Sequence, residues 1–218
     1  MFPISDSIKT HRFPLINIAL IAITSFVFIQ QLVATNQETF IQTFALIPSL
    51  INFSNFSTLF PFITAMFLHG GFLHIISNMW FLWVFGDNIE DHMGWLLFLF
   101  IYFFSGIAGN LLQYAFMPQS SIPMLGASGA VAGVLGAYFV ILPHSRIKTF
   151  IPYFGLMSIT QVPAYFMLGY WFILQIISGA ASIPGMGETG GVAFFAHAGG
   201  FLTGVLFGKL FKRKYKYG

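Results

Sequence analysis

Apolar residues in this chain run in long blocks separated by short polar punctuation. A helix needs ~20 mostly apolar residues to cross the hydrocarbon core of a bilayer. Six blocks qualify: residues 14–34, 67–85, 95–116, 128–142, 163–179 and 192–210. The fourth is short, and residues 124–127 are expected to add a buried turn at its start. The pattern predicts an all-α membrane protein, a six-helix bundle over 14–211 between an N-terminal tail (1–13) and a basic C-terminal tail (212–218). The first apolar run is too long for a cleavable signal and lacks a small-residue cleavage site. Residues 35–59 form a long loop that still carries Phe40, Phe44, Leu46, Ile47, Leu50, Ile51, Phe53 and Phe56. So many large side chains suit the membrane interface better than water. The chain has no repeat, no low-complexity tract and no separate soluble domain.

Composition sharpens this picture. Hydrophobic residues make up 57% of the 218, aromatics 19% and charged residues only 7%. Soluble domains average ~25% charged residues, so this chain could not cover a water-facing surface. Cysteine is absent, which excludes a disulfide scaffold and a cysteine nucleophile.

The charges give direction to the helices. The nine basic residues fall in three places: Lys9 and Arg12; Arg146 and Lys148; and Lys209, Lys212, Arg213, Lys214 and Lys216. Cytoplasmic flanks carry the Lys/Arg excess, so all three places, and both termini, are expected on the cytoplasmic side. Four blocks precede Arg146 and two follow, as that requires. The net charge of +3 therefore records topology and implies no nucleic-acid partner.

Ionisable groups inside spans are costly and are functional suspects by default. The second block carries His69, His74 and Asn78, the fourth opens with Ser128, and the sixth carries His197; no Asp or Glu lies in any block. The even-numbered blocks all start at the outer side, and His74, Ser128 and His197 lie near those starts. Gly129, Gly133 and Gly136 on one block, and Gly200, Gly204 and Gly208 on another, would let two helices approach closely. A serine hydroxyl is a weak nucleophile until an imidazole takes its proton. Ser128 and His197 could form such a dyad, with the Ser128 N–H, His74 and Asn78 as donors to an oxyanion.

These stretches resemble the rhomboid intramembrane serine proteases. The resemblance rests on Gly126-Ala127-Ser128-Gly129-Ala130, on Ala196-His197-Ala198-Gly199-Gly200, and on His69, His74 and Asn78 at their spacing. Gly86, Glu90 and Gly94 are similar to the family's turn after its second helix. The resemblance implies Ser128 as nucleophile, His197 as base, an oxyanion site from His74, Asn78 and the Ser128 N–H, and transmembrane proteins as substrates in the bilayer. It also implies a compact six-span bacterial type in the plasma (inner) membrane, its site opening outward. Two positions depart from the pattern. Residues 35–59 lack the Trp-Arg pair of some members. Ala132 stands where some members place an aromatic ring on the catalytic histidine, so another group must orient His197.

Plainer roles compete. Ser128 could be a small packing residue, His197 a satisfied core histidine, and His74 and Asn78 interhelical glue. A structural hydrogen bond is expected of His69, and Glu90 is expected to pin the inner turn. No metal or cofactor is expected: His-Glu-x-x-His is absent, and no carboxylate in the spans would orient three histidines around zinc. The alternative function is a catalytically inactive rhomboid-like protein that binds membrane helices.

Overall fold

The computed structural model describes residues 1–153, 156–182 and 193–212. Residues 183–192, which take in the start of the sixth block, and Arg213, Lys214 and Lys216 lie outside the described residues. In chain order the helices are α1 (Leu15–Val33), α2 (Gln37–Phe44), α3 (Pro61–Thr64), α4 (Phe72–Met93), α5 (Trp95–Phe116), α6 (Ser128–Ile141), α7 (Ala164–Ser182) and α8 (Phe194–Phe211). Among them α1, α5, α7 and α8 are each long and apolar enough to span a membrane. The segment Phe56–Phe67 with α4, bent by 80°, makes a fifth if the pair counts as one span. Helix α6 has 14 residues, or ~21 Å at 1.5 Å per residue, short of the ~30 Å core.

Three expectations need correction. Residues 124–127 add no helical turn to α6. Met124 instead forms a β-bridge with Leu46, through bonds of 2.8 and 3.0 Å, and the Gly126 N–H donates to Ala65 O at 2.9 Å. The second helix starts later and runs further than residues 67–85, because its acidic end remains helical. The Glu90 side chain, expected to pin the turn, instead accepts from the N–H groups of Ile16 (3.0 Å) and Asn17 (2.7 Å) and caps the start of α1, while its backbone O accepts from the Gly94 N–H at 2.8 Å. The fold, finally, is not all-α. Strands β1 (Phe2–Asp6), β2 (Arg146–Tyr153) and β3 (Leu156–Pro163) form an antiparallel sheet in that order. Strand β2 shows why: Arg146 and Lys148 are exposed while Ile147 and Thr149 are buried, the period-2 alternation of a half-buried strand.

The membrane-facing helices turn apolar residues outward and polar ones inward. On α1 the buried residues Asn17, Leu20, Thr24, Phe28 and Gln31 share one face at helical spacing, while Ile23, Phe26 and Ile29 are exposed. Residues 35–59 are not a plain loop. They fold into α2 and short 3₁₀ turns that bury Leu46 against Phe62 and Ala65, leaving Leu50, Phe53 and Phe56 exposed.

Helix α6 is the centre. It is buried from Gly129 to Tyr138 and packs against α4, α5, α7 and α8. The glycine stripes meet as expected: a methyl group at Gly200 would fall onto the Gly129 carbonyl, and one at Gly204 onto that of Gly133. Because these pairs rise together in number, α6 and α8 run parallel. Helix α4 runs with them, since its start lies at Gly126 and Phe85 further along meets Tyr138 at 5.0 Å. Helix α5 runs the other way: Gln113 meets the start of α8 and Phe100 meets Phe207.

The sheet closes the opposite end of the bundle. The Trp80 indole donates to Pro3 O at 2.7 Å, and Asp6 accepts from Asn88 Nδ2 and the Tyr138 hydroxyl, both at 2.6 Å. The expected N-terminal tail is thus a docked strand. Burial pushes the Asp6 carboxyl above its usual range, against the hydrogen bonds from Tyr138, the Ile8 N–H and Asn88 that favour its charged form. Of the described basic residues, Arg146, Lys148, Lys209 and Lys212 gather at this end, where Lys212 Nζ donates to Val140 O.

Candidate active site

Three parallel helices begin side by side at the end away from the sheet, and the sequence-nominated residues lie at those beginnings. Ser128 is the first residue of α6, preceded by Ala127 and by Gly126 at φ +127°. That conformation is one L side chains rarely adopt, so the sharp entry into α6 depends on glycine there. Space makes the same demand: a methyl group at Gly126 would sit 2.7 Å from His74 Nε2 and Cε1. The first N–H groups of a helix lack intrahelical partners, so the Ser128 N–H is a free donor at the positive end of α6.

His74 and Asn78, one turn apart on α4, face this entry. The Gly70 N–H donates to His74 Nδ1 at 3.3 Å. In the neutral ring the proton then belongs to Nε2, the atom lying over Gly126. Asn78 is 6% exposed, and its Nδ2, which has no hydrogen-bond partner, lies 3.8 Å from where a Gly126 methyl would be. A buried unpaired donor costs about 1–3 kcal/mol.

His69 stands behind His74, ring edge to ring at 5.0 Å, and is fully buried. The structural hydrogen bond expected of the His69 side chain is not made, and only its backbone is held. Gln31 donates to His69 O at 2.7 Å and accepts from its N–H at 3.1 Å, while neither ring nitrogen has a partner.

His197 lies in the first turn of α8, its N–H donating to Ala193 O at 3.2 Å. Gln113, buried on α5, accepts from the N–H groups of Phe195 (3.0 Å) and Ala196 (3.2 Å), which fixes where α8 begins. His197 Nδ1 lies 2.7 Å from Gln175 Oε1 on α7, and its ring is 5.8 Å from that of Trp171. Ser128 and His197 are brought together through their neighbours. A methyl at Gly129 would be 3.4 Å from Ala196 O, and Gly129 also underlies Gly200. The two side chains make no mutual hydrogen bond here; such bonds are often long in substrate-free sites.

Ser128, His74, Asn78 and His197 thus meet at one end of the bundle, whereas Glu90 lies at the other. Gln31, Gln113, Gln175 and Trp171 were missed in the sequence. The available signal was the amide side chains inside otherwise apolar blocks, which carry the same cost in hydrocarbon as other polar groups. A hydroxyl, an imidazole and N–H groups gathered at one end of the bundle are the groups that attack on a carbonyl carbon requires.

The rhomboid domain family matches residues 57–214, from the turns before α4 through α8. The chain is similar to rhomboid protein 1, mitochondrial, of Saccharomyces cerevisiae, 35% identical over 152 residues, covering 67% of this chain and 40% of that protein. It is similar to rhomboid protease GluP of Bacillus subtilis, 34% identical over 165 residues, covering 76% and 30%. It is also similar to rhomboid-like protein 11, chloroplastic, of Arabidopsis thaliana, 31% identical over 167 residues, covering 73% and 55%. The matches span between 30% and 55% of these relatives' own lengths. With the glycine entry, both close-packed helices and all four nominated side chains inside the matched stretch, this chain belongs to the rhomboid family.

Proposed function

We propose that this chain is an intramembrane serine endopeptidase that cleaves transmembrane segments with Ser128 as nucleophile and His197 as general base. Ser128 Oγ attacks the scissile carbonyl carbon while His197 Nε2 accepts its proton. The developing oxyanion takes hydrogen bonds from the Ser128 N–H, His74 Nε2–H and Asn78 Nδ2–H. His197 then gives its proton to the leaving amine, and water hydrolyses the acyl-enzyme by the same steps. The observation that carries this reading is the convergence of Ser128, the His74 ring and the unpartnered Asn78 amide on Gly126. An intact helix hides its peptide carbonyls, so the substrates are segments whose helix is locally unstable near the outer end.

In the bilayer, the bent pair ending in α4 and the short α6 complete a set of six spans with α1, α5, α7 and α8. Residues 14–211 form the protease domain, and both termini face the cytoplasmic side with the basic residues. Family membership and the apolar helices make this a multi-pass integral membrane protein. A bacterial plasma membrane and a compact bacterial type are not supported: relatives named chloroplastic and mitochondrial stand beside the Bacillus one.

Labelling of the full chain with a fluorophosphonate tests the reading. The label should map to Ser128, and Ser128→Ala and His197→Ala should each abolish cleavage of a tethered transmembrane substrate while the protein still folds. Cleavage at the normal rate by either variant would overturn it. A folded chain with neither label nor cleavage would be the inactive, helix-binding rhomboid-like protein.

A further inference from the structure

An imidazole acts as base towards serine only if the nitrogen facing the hydroxyl is unprotonated, so something must hold the proton on the other nitrogen. Ala132, four residues after Ser128, offers no ring to orient the imidazole, and no Asp or Glu contacts the His197 ring among the described residues to hold that proton. The neighbour within reach is on α7. Gln175 Oε1 lies 2.7 Å from His197 Nδ1. An amide oxygen can only accept, so this contact is a hydrogen bond when Nδ1 carries the proton. Trp171 precedes Gln175 by one turn and so lies on the same face of α7. Its ring is tilted 32° to the imidazole at 5.8 Å and limits rotation of His197 from one side.

We propose that Gln175 is a positioning residue of the proteolytic reaction, holding His197 as the Nδ1–H tautomer so that Nε2 is left to take the Ser128 proton. The role rests on the protease reading given above. A neutral amide suits the site, because it selects tautomer and orientation without placing a second ion inside the bundle, where ions are costly. The chemistry is that of a third triad member stripped of its charge. Gln175 touches neither substrate nor the reacting atoms and acts through His197.

The test uses the full chain in detergent micelles and in liposomes holding a tethered substrate. Ring nitrogen resonances of ¹⁵N-histidine, assigned to His197 by their loss in His197→Ala, should show the Nδ1–H tautomer. In Gln175→Leu the ring should move towards Nε2–H. That variant should lose about 10²-fold in kcat, the scale of a misplaced reacting group, with KM changed by less than about twofold. Gln175→Glu keeps an acceptor oxygen at the same reach and should recover most of the rate. An Nε2–H tautomer in the wild-type protein overturns the proposal regardless of folding of the variants. So does Gln175→Leu with wild-type kcat while Ser128→Ala and His197→Ala are inactive; in that case the protease reading survives. Normal cleavage by the Ser128 and His197 variants would end the catalytic role of Gln175 together with that reading, while the resonances would still report the bond itself.

Discussion

The two ends of the bundle use the same polar residue types to different effect. At the sheet end, side chains close on each other and on backbone. Asp6 joins Asn88 and Tyr138, Ser145 donates to Tyr138 at 3.0 Å, Asp91 accepts from the His11 N–H, and Glu90 holds two N–H groups of α1. At the Ser128 end the amides of Gln31 and Gln113 do similar work on backbone, but Asn78 Nδ2 and both ring nitrogens of His69 are left without partners. An open polar group alone is not diagnostic, since the side chains of Asn17, near the sheet end, and of Ser105 on α5 also lack partners. What separates the Ser128 end is direction: the His74 ring and the Asn78 amide face Gly126, at the entry into α6, and His197 lies in the first turn of the parallel α8. Groups that satisfy each other hold the fold, and groups held pointing at a shared space are available to a substrate.

The largest effect that sharpens this contrast, after the loss of Ser128 or His197, belongs to Asn78. Asn78→Ala removes a buried donor that serves no partner in the resting protein. It should lower kcat by about 10²–10³-fold, the range of a lost oxyanion donor, and leave thermal stability unchanged or slightly higher. Steady-state cleavage together with thermal unfolding in detergent separates the two. A wild-type kcat, or a clear loss of stability, would make Asn78 an interhelical contact and remove it from the oxyanion site.

Glu90→Gln should do the reverse. The carboxylate caps two N–H groups at the positive end of α1, and an amide can offer an acceptor to only one of them. The expected stability loss is about 1.5–3 kcal/mol, the worth of a hydrogen bond to a charged group, with kcat per folded molecule unchanged. Loss of kcat without loss of stability would mean that the two ends are coupled through α4.

Much of this division was legible in the sequence. The apolar blocks gave α1, α5, α6, α7 and α8 within a few residues, since hydrocarbon leaves a continuous helix little choice. The second helix was misplaced because hydropathy fails where Asp87, Glu90 and Asp91 begin. The helix continues there, with Glu90 and Asp91 turned to the backbone of the segment leading into α1. The sheet was hidden because residues 2–6 are a short, mixed segment, Phe-Pro-Ile-Ser-Asp, that becomes a strand only when β2 supplies its partners. Ser128, His74, Asn78 and His197 were visible as polar groups near helix starts. Gln175 and Gln113 were overlooked because an uncharged amide carries no titration signal; its role follows from which atom it meets, and only coordinates give that.

The smallest expected effect concerns Asp6, the strand residue that ties β1 to α4 and α6. Its carboxyl holds a proton more tightly in the folded chain than in the unfolded one, because burial outweighs the hydrogen bonds from Tyr138, Ile8 and Asn88. Protonation therefore favours the folded state. The contribution is complete below the unfolded value near 4 and is lost as pH rises through the higher folded value. Asp6→Asn keeps an acceptor for Tyr138 but cannot titrate. Across the acidic range above about pH 4, the unfolding temperature of the wild-type chain should fall relative to that of Asp6→Asn, and kcat of the folded fraction should be equal in the two at neutral pH. Parallel unfolding curves would show that Asp6 titrates alike in both states. A change in kcat would show that closing the sheet end also shapes the Ser128 end.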